Sequence, residues 1–470
     1  MISTDTVTSP LASVVIPAYN QAAFLFDAVQ SVLNQTYQNF EVIVVNDASS
    51  DNPDAVLARM QDTRLKYIVH EQNQGLSASR NTGIRASQGE IIFLLDADDL
   101  FHPEKLQAHV AFLAAHPEVG VSYNARFELN HSADTIREMW RPPLSVGLMD
   151  LVLGFPFSPS DTVVRREWAF KVGLFNPEVR TAEDTDFPCR LALAGCRFAG
   201  IDRALNYRRY HSGKRWKNLP GRINDVERVQ AAIFADPRCP DDVKAMGRMA
   251  IKHHLIVIVS LALIQNETGL AQKYIRELME LDPAVLGGNP CEFVDFMLNE
   301  SIADESVDHK ELLNRMSNQL PQELNWLAPQ FDWAVGRGWL WKGIRAVIWD
   351  RLTDARRHFS RAVELHAGID ENLIQLITYH LLGHEKEFGT DAVLKVLSNL
   401  SPFLNRVTKS GSVRLEGSYL VNRAFENYRN GKYKKVPALI LRACKDDPSY
   451  IRNRGVLSIF LRSVSRIVLQ

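Results

Sequence analysis

In the run Gly89-Glu90-Ile91-Ile92-Phe93-Leu94-Leu95-Asp96-Ala97-Asp98-Asp99, a continuous apolar stretch ends in three carboxylates within four positions. In extended chain, Asp96 and Asp98 are two residues apart and point to the same face. Two carboxylates side by side at the carboxyl end of a buried strand suit a hard divalent cation with oxygen ligands. The same residues, followed by Leu100-Phe101-His102-Pro103, also read as the capping cluster of a helix starting near Pro103. A second acidic pair, Glu183-Asp184, precedes the apolar-periodic Leu191, Leu193 and Ala194, which is the pattern of an acidic helix start. His211 follows Tyr207-Arg208-Arg209-Tyr210 and precedes Ser212-Gly213-Lys214-Arg215, a basic loop suited to closing over phosphates.

These residues need elements that hold them together. Ser13-Val14-Val15-Ile16-Pro17-Ala18-Tyr19-Asn20 reads as a strand ending in a Pro/Asn turn. Phe24, Ala28, Ser31 and Val32 then recur at helical spacing before the polar break Asn34-Gln35-Thr36. Glu41 to Val45 is a second buried strand, ending in Asn46-Asp47-Ala48-Ser49-Ser50-Asp51, and Leu65 to Val69 is a third. Gly75-Leu76-Ser77-Ala78-Ser79-Arg80-Asn81-Thr82-Gly83 opens a helix that runs to Gly89. Strand and helix alternating in this way predict a doubly wound parallel sheet. Ligands of such sheets sit outside the carboxyl ends of the strands, and Asn20, Asp47 and the Asp96–Asp99 cluster all fall there.

With these motifs in place the chain resembles the family 2 glycosyltransferases. The resemblance rests on residues 14–20, Gln35-Thr36-Tyr37, residues 44–51, residues 75–83, residues 95–99, Glu183-Asp184-Thr185-Asp186-Phe187 and Tyr207-Arg208-Arg209-Tyr210-His211. It spans residues 11 to 220. It implies the GT-A fold, a Rossmann-like, mostly parallel α/β sheet with helices on both faces. It also implies transfer with inversion from a nucleotide-diphosphate sugar. Carried over residue by residue, it implies that Pro17, Ala18, Tyr19 and Asn20 line the nucleotide. Asp47 would accept a hydrogen bond from the base N–H, which suits uracil. Arg80 would approach the nucleotide, or alternatively form a surface ion pair. Asp96 would contact the ribose or the metal shell, and Asp98 would ligate Mn²⁺ or Mg²⁺. Asp99 would ligate or orient its neighbour, and His211 would supply a further ligand. Lys214 and Arg215 would close over the phosphates. Asp184, beside Glu183, would be the general base. Trp140, Phe157 and Trp216 are acceptor-side candidates; the stretch around Trp140, Arg141, Pro142, Phe155, Phe157 and Ser158 suits a sugar acceptor and a hydrophobic core equally.

Composition sets the remaining bounds. The chain has 470 residues, a formal net charge of −1 and five scattered cysteines. That balance gives no bulk attraction to nucleic acid. Cys189, Cys196, Cys239, Cys291 and Cys444 show no metal spacing and predict reduced thiols in a cytoplasmic protein. Residues 1–10 are polar, read as a disordered N-terminus, and lack the apolar core of a signal peptide. The longest apolar run, Leu255 to Ile264, is shorter than the ~20 residues a bilayer requires and reads as a buried helix. Processive synthases of the family carry membrane spans and a Gln-x-x-Arg-Trp motif. Here Arg215-Trp216 has Ser at position 212, which favours single-sugar transfer by a non-processive hexosyltransferase-type enzyme.

From about residue 221 to 470 the chain reads as an all-α region. Three segments, Gly269–Pro283, Trp349–Gly368 and Gly431–Pro448, place small and aromatic residues at helical spacing like the second helix of tetratricopeptide-type repeats. Their irregular spacing predicts degenerate TPR-like helix pairs rather than a regular solenoid. They read as an appendage on the catalytic domain or a platform for a protein partner. The tail from Val456 to Leu469 is basic and amphipathic, suited to peripheral membrane contact at the inner face or to docking on its own helices. The expected acceptor is a glycan, lipid-linked or protein hydroxyl, with bacterial surface polysaccharide assembly as the family's usual setting. Two alternatives stand beside this: an inactive transferase-like domain serving a helical interaction module, and a sugar nucleotidyltransferase. The latter would need a Gly-rich loop where Pro17-Ala18-Tyr19-Asn20 stands.

Overall fold

A computed structural model describes residues 9–130, 132–154, 156–210, 218–305 and 307–468. The chain forms two compact units. The first runs to Phe296 and includes Asn318–Gln322; the second comprises Met297–Ser317 and Glu323 onward.

The first unit is built on a mixed sheet. Its strands are β1 (Ala12–Ala18), β2 (Phe40–Asn46), β3 (Leu65–Val69), β4 (Ile91–Leu94), β5 (Leu100–Phe101), β6 (Val119–Leu129), β7 (Ile136–Trp140), β8 (Ser145–Val146), β9 (Thr162–Arg165) and β10 (Arg197–Arg209). They lie in the order β3-β2-β1-β4-β9-β6-β10-β5, with β7 beside β6 and β8 beside β10. β3, β2, β1 and β4 are parallel, as the doubly wound reading requires. They are joined by α1 (Ala22–Leu33), α2 (Pro53–Leu57) and α3 (Leu76–Ala86). A parallel return needs such a crossover. β9 then inserts antiparallel to both β4 and β6, and β10 runs parallel to β6. The second half of the sheet is therefore mixed.

Every residue of β1 and β2 is buried, because helices cover both faces. Val14, Ile16 and Phe93 pack with Leu25, Val29 and Val32 of α1 and with Leu106, Val110 and Leu113 of α4 (Lys105–Ala115). On the other face Val15, Ile92 and Leu94 pack with Ile84 of α3 and with Phe187 and Leu191 of a later helix, α7. Before it come two short helices, α5 (Leu148–Leu153) and α6 (Arg166–Lys171), and α7 itself spans Glu183–Leu193. α3 lies so close to β1 that a Cβ on Gly83 would stand 2.3 Å from Val15 Cγ1.

The unit continues beyond residue 220 through α8 (Leu219–Ala235), α9 (Asp241–Ala245), α10 (Gly247–Gln265) and α11 (Thr268–Leu281). Val226, Val229 and Ile233 of α8 enter the same core as Phe187. The change of character near 221 is thus a change from strand to helix within the first unit. α10 is long and apolar enough to cross a membrane by length and composition, and just over half of it is buried inside its unit.

The chain then runs through α12 (Glu292–Ser301) and α13 (His309–Gln319). The remaining helices are α14 (Ala328–Ile348), α15 (Leu352–Glu364), α16 (Glu371–Phe388), α17 (Thr390–Val407), α18 (Gly411–Arg429), α19 (Val436–Asp446) and α20 (Arg454–Val468). The three repeat-like segments correspond to α11, α15 and α19, and each packs on the helix before it, α10, α14 and α18. The amphipathic tail is α20. It buries Val456, Ile459 and Ser463 against its own unit and leaves Leu457 and Leu461 exposed. All five cysteines are free thiols.

Candidate functional site

An open cleft of about 560 Å³ lies at the carboxyl ends of β1, β2 and β4. It brings together Pro17, Ala18 and Tyr19, then Asp47, Arg80 and the Asp96–Asp99 loop, then Glu183 and Asp184. These come from five separate stretches of chain, and they are most of the residues that the sequence singles out.

At one end Tyr19 is half exposed, so its ring is free to meet a planar group. Asn20 does not line the cleft: it holds φ +52°, and its Oδ1 accepts the Ser50 N–H at 2.8 Å and the Ser50 hydroxyl at 3.1 Å. It is a turn residue joining the loops after β1 and β2. Asp47 lines the cleft but also works internally. Its Oδ1 accepts the Gln74 N–H (2.8 Å) and lies 2.7 Å from His70 Nδ1, while Oδ2 accepts the Gly75 N–H (2.8 Å). Gly75, at φ +93°, turns the chain into α3 there.

The acidic loop after β4 is fixed from behind. Ser160 Oγ accepts the Asp96 N–H (3.1 Å) and donates to Asp99 Oδ2 (2.8 Å), and Asp99 Oδ1 accepts the Arg209 N–H (3.1 Å). Both Asp99 oxygens thus take part in holding the loop. Lys105, fully buried on α4, donates to the Ser160 carbonyl at 2.9 Å. Burial pushes its ammonium down to about 7 against the pull of Asp161. Asp98 is 5% exposed and lines the cleft, and its carbonyl accepts Arg209 Nε at 3.3 Å.

Arg80 lines the cleft but is no surface residue: at 1% exposure it joins the two acidic groups, with Nη2 2.8 Å from Asp96 Oδ1 and Nη1 3.1 Å from Glu183 Oε1. Burial works against its charge, yet the two carboxylates together raise its pKa.

Glu183 and Asp184 form the first turn of α7. Burial and the neighbouring Asp184 push Glu183 up to about 7, against Arg80. Burial also raises Asp184, against the opposing charges of Arg222 and Arg80. One oxygen of Asp184, Oδ1, is buried without a hydrogen-bond partner. Leaving a buried carboxylate oxygen unmatched is costly, and Asp184 as a residue lines the cleft.

The acceptor-side candidates divide. Phe157 is a core residue, stacked on Tyr123 at 4.4 Å between centroids, and it touches the cleft only as part of its floor. Trp140 is exposed, donates Nε1–H to the Pro156 carbonyl at 2.8 Å and does not line the cleft. His211, Lys214, Arg215, Trp216 and Phe155 lie outside the described residues. Three further arginines line the cleft; the sequence reading singles out neither Arg126 nor Arg180, and Arg208 only as part of the motif that precedes His211. Arg126 pairs with Glu128 (2.7 Å) and Asp161 (2.6 Å), Arg208 lies 3.7 Å from Glu128, and Arg180 is exposed. Strand-end and loop arginines carry no sequence signal that separates them from surface charge.

A family model described as Glycosyl transferase family 2 matches residues 13–167. An uncharacterised glycosyltransferase of Rickettsia typhi is 32% identical over 303 residues, covering 63% of this chain and 91% of that protein. Another from Rickettsia conorii is 30% identical over 202 residues, covering 43% of this chain and 33% of that protein. The chain spans between 15% and 42% of the length of the latter and of two further Rickettsia relatives. Among solved structures, S. aureus TarS 1–349 in complex with UDP aligns at 17% identity and a TM-score of 0.39, over 81% of this chain and 92% of that one.

Proposed function

The chain belongs to glycosyl transferase family 2, and from that premise we propose that it moves a single sugar with inversion from a nucleotide-diphosphate sugar, UDP-linked by preference, to an acceptor hydroxyl. The observation that carries the proposal is the shared cleft: Asp184 lines the same space as the Asp96–Asp98 pair and the exposed Tyr19 ring.

In this reading Pro17, Ala18 and Tyr19 wall the base, and Asp47 faces it from the loop after β2. Among the described residues no three metal-ligating side chains cluster. Asp98 and Asp96 nevertheless offer hard oxygens in one cleft, a set that fits a cation completed by diphosphate oxygens and water. Asp98 and Asp96, with His211, would hold a Mn²⁺ or Mg²⁺ ion, which when bound neutralises charge on the leaving diphosphate. Asp184 takes the proton of the acceptor hydroxyl as its oxygen bonds to the anomeric carbon. The bond from that carbon to the diphosphate oxygen breaks, so the product is inverted. Arg80 fixes the spacing between Asp96 and Glu183, and so between the donor and acceptor ends of the cleft. The acceptor is a glycan, lipid-linked or protein hydroxyl, met at the inner face of a membrane, and the helical unit serves as its platform or that of a protein partner.

The test is release of nucleoside diphosphate from UDP- and GDP-sugars with and without Mn²⁺, with the anomeric configuration of the product read by NMR. Metal-stimulated release with an inverted product supports the reading. A retained configuration, or full activity in Asp184→Asn, removes it.

A further inference from the structure

Arg222, Asp225 and Arg228 recur at three-residue intervals along α8 and so share one side of the helix. All three bond to one short stretch, Glu178–Thr181, which leads directly into α7. Arg222 Nη1 donates to the Thr181 carbonyl at 2.6 Å. Asp225 Oδ2 accepts the Arg180 N–H (2.9 Å), the Thr181 N–H (2.9 Å) and the Thr181 hydroxyl (2.8 Å). Arg228 Nη2 donates to the Glu178 carbonyl (2.6 Å) and to Asp225 Oδ1 (3.3 Å). From the other side, Ser77 on α3 donates to the Val179 carbonyl at 3.1 Å. The stretch is clamped between two helices three residues before Asp184.

This polar seam is not needed to anchor α8, whose Val226, Val229 and Ile233 already sit in the core. We propose that α8 is a positioning latch for the general base: Asp225 and Arg222 fix the start of α7, and with it the Asp184 carboxylate, against the acidic loop after β4. This rests on the reading of Asp184 as the base. Both latch residues lie beyond the residues 13–167 that carry the family match. The charged groups around Asp184 are Glu183 on α7, Arg80 on α3, Asp96 after β4 and Arg222 on α8, with the buried, neutral His254 of α10 behind Arg222. Arg80 is already shared between Asp96 and Glu183, which leaves Arg222 as the principal opposing charge on Asp184.

The experiment compares the full chain with Asp225→Ala, Arg222→Met and Arg222→Lys. Donor hydrolysis is followed with UDP-glucose, UDP-N-acetylglucosamine and GDP-mannose in Mn²⁺, alongside hydrogen exchange. The latch predicts that kcat falls roughly 10- to 100-fold in Asp225→Ala and Arg222→Met, the scale of a small misplacement, with donor KM nearly unchanged. It predicts that the acid limb of kcat moves up by about one pH unit in Arg222→Met and returns in Arg222→Lys. It also predicts faster exchange at Arg180, Thr181 and the first turn of α7 while β1 and β2 stay protected. Wild-type turnover with equal kcat in the variants, or unchanged exchange in that stretch, overturns the latch. Absence of wild-type turnover with every donor counts against the transferase reading instead, and the exchange result still decides the latch.

Discussion

As the proposed base, Asp184 would answer two opposed demands: a base must be ionised to take a proton, yet burial raises its pKa and makes it a stronger base once ionised. Asp184→Asn is expected to lower kcat by about 10²- to 10⁴-fold while nucleotide affinity stays intact, measured by donor turnover beside calorimetry. Glu183 makes a second, thermodynamic prediction. Its folded pKa is raised to about 7 from an ordinary value near 4.5, so the folded state binds the extra proton. Stability from this group is present below the ordinary value and lost as pH rises toward 7. Glu183→Gln, which mimics the protonated form and keeps an acceptor for Arg80, should therefore gain in Tm relative to wild type between pH 5 and pH 8. A constant difference across that range would contradict the assignment. The carboxylates were legible in the sequence because charge at the end of an apolar run is conspicuous. The role of Arg80 was not, since its partners stand 16 and 103 residues away and a helix-start arginine gives no sign of burial.

The elements that present these residues are most exacting where α3 crosses β1. Gly83→Ala would set a methyl 2.3 Å from Val15 Cγ1 and push the helix outward, at a cost of about 1–3 kcal/mol. Because Ser79 and Arg80 ride on the same helix and line the cleft, nucleotide affinity should fall with stability. Urea denaturation and calorimetry on the same preparation check both, and a stable variant with full affinity would refute the close-packing argument. β1, β2 and β4 were legible because strands covered on both faces read as continuous apolar runs. The insertion of β9 between β4 and β6 was not, because antiparallel pairing between distant segments leaves no local pattern. α7 was visible as an acidic helix start, while its clamp to α8 depends on polar side chains bonding to backbone, which periodicity does not encode.

At the scale of the molecule, the cleft belongs wholly to the first unit, and that unit includes α8 to α11. The sequence marked the change to helices near 221 correctly as a change in composition, but compactness depends on which core those helices enter, and α8 enters that of the sheet. Ligand binding to this unit should stabilise it by mass action, by about 2.7 kcal/mol at a hundredfold excess over Kd. A thermal scan with UDP and Mn²⁺ should raise its unfolding midpoint, and no shift at saturating ligand would place the nucleotide elsewhere. The most direct test of the central claim is a calorimetric titration of the full chain with UDP and GDP, with and without Mn²⁺, beside Asp98→Ala. Metal-dependent binding of one nucleotide, lost in the variant, is the predicted result. A folded protein that binds neither nucleotide, or binds equally well without Asp98, would contradict it.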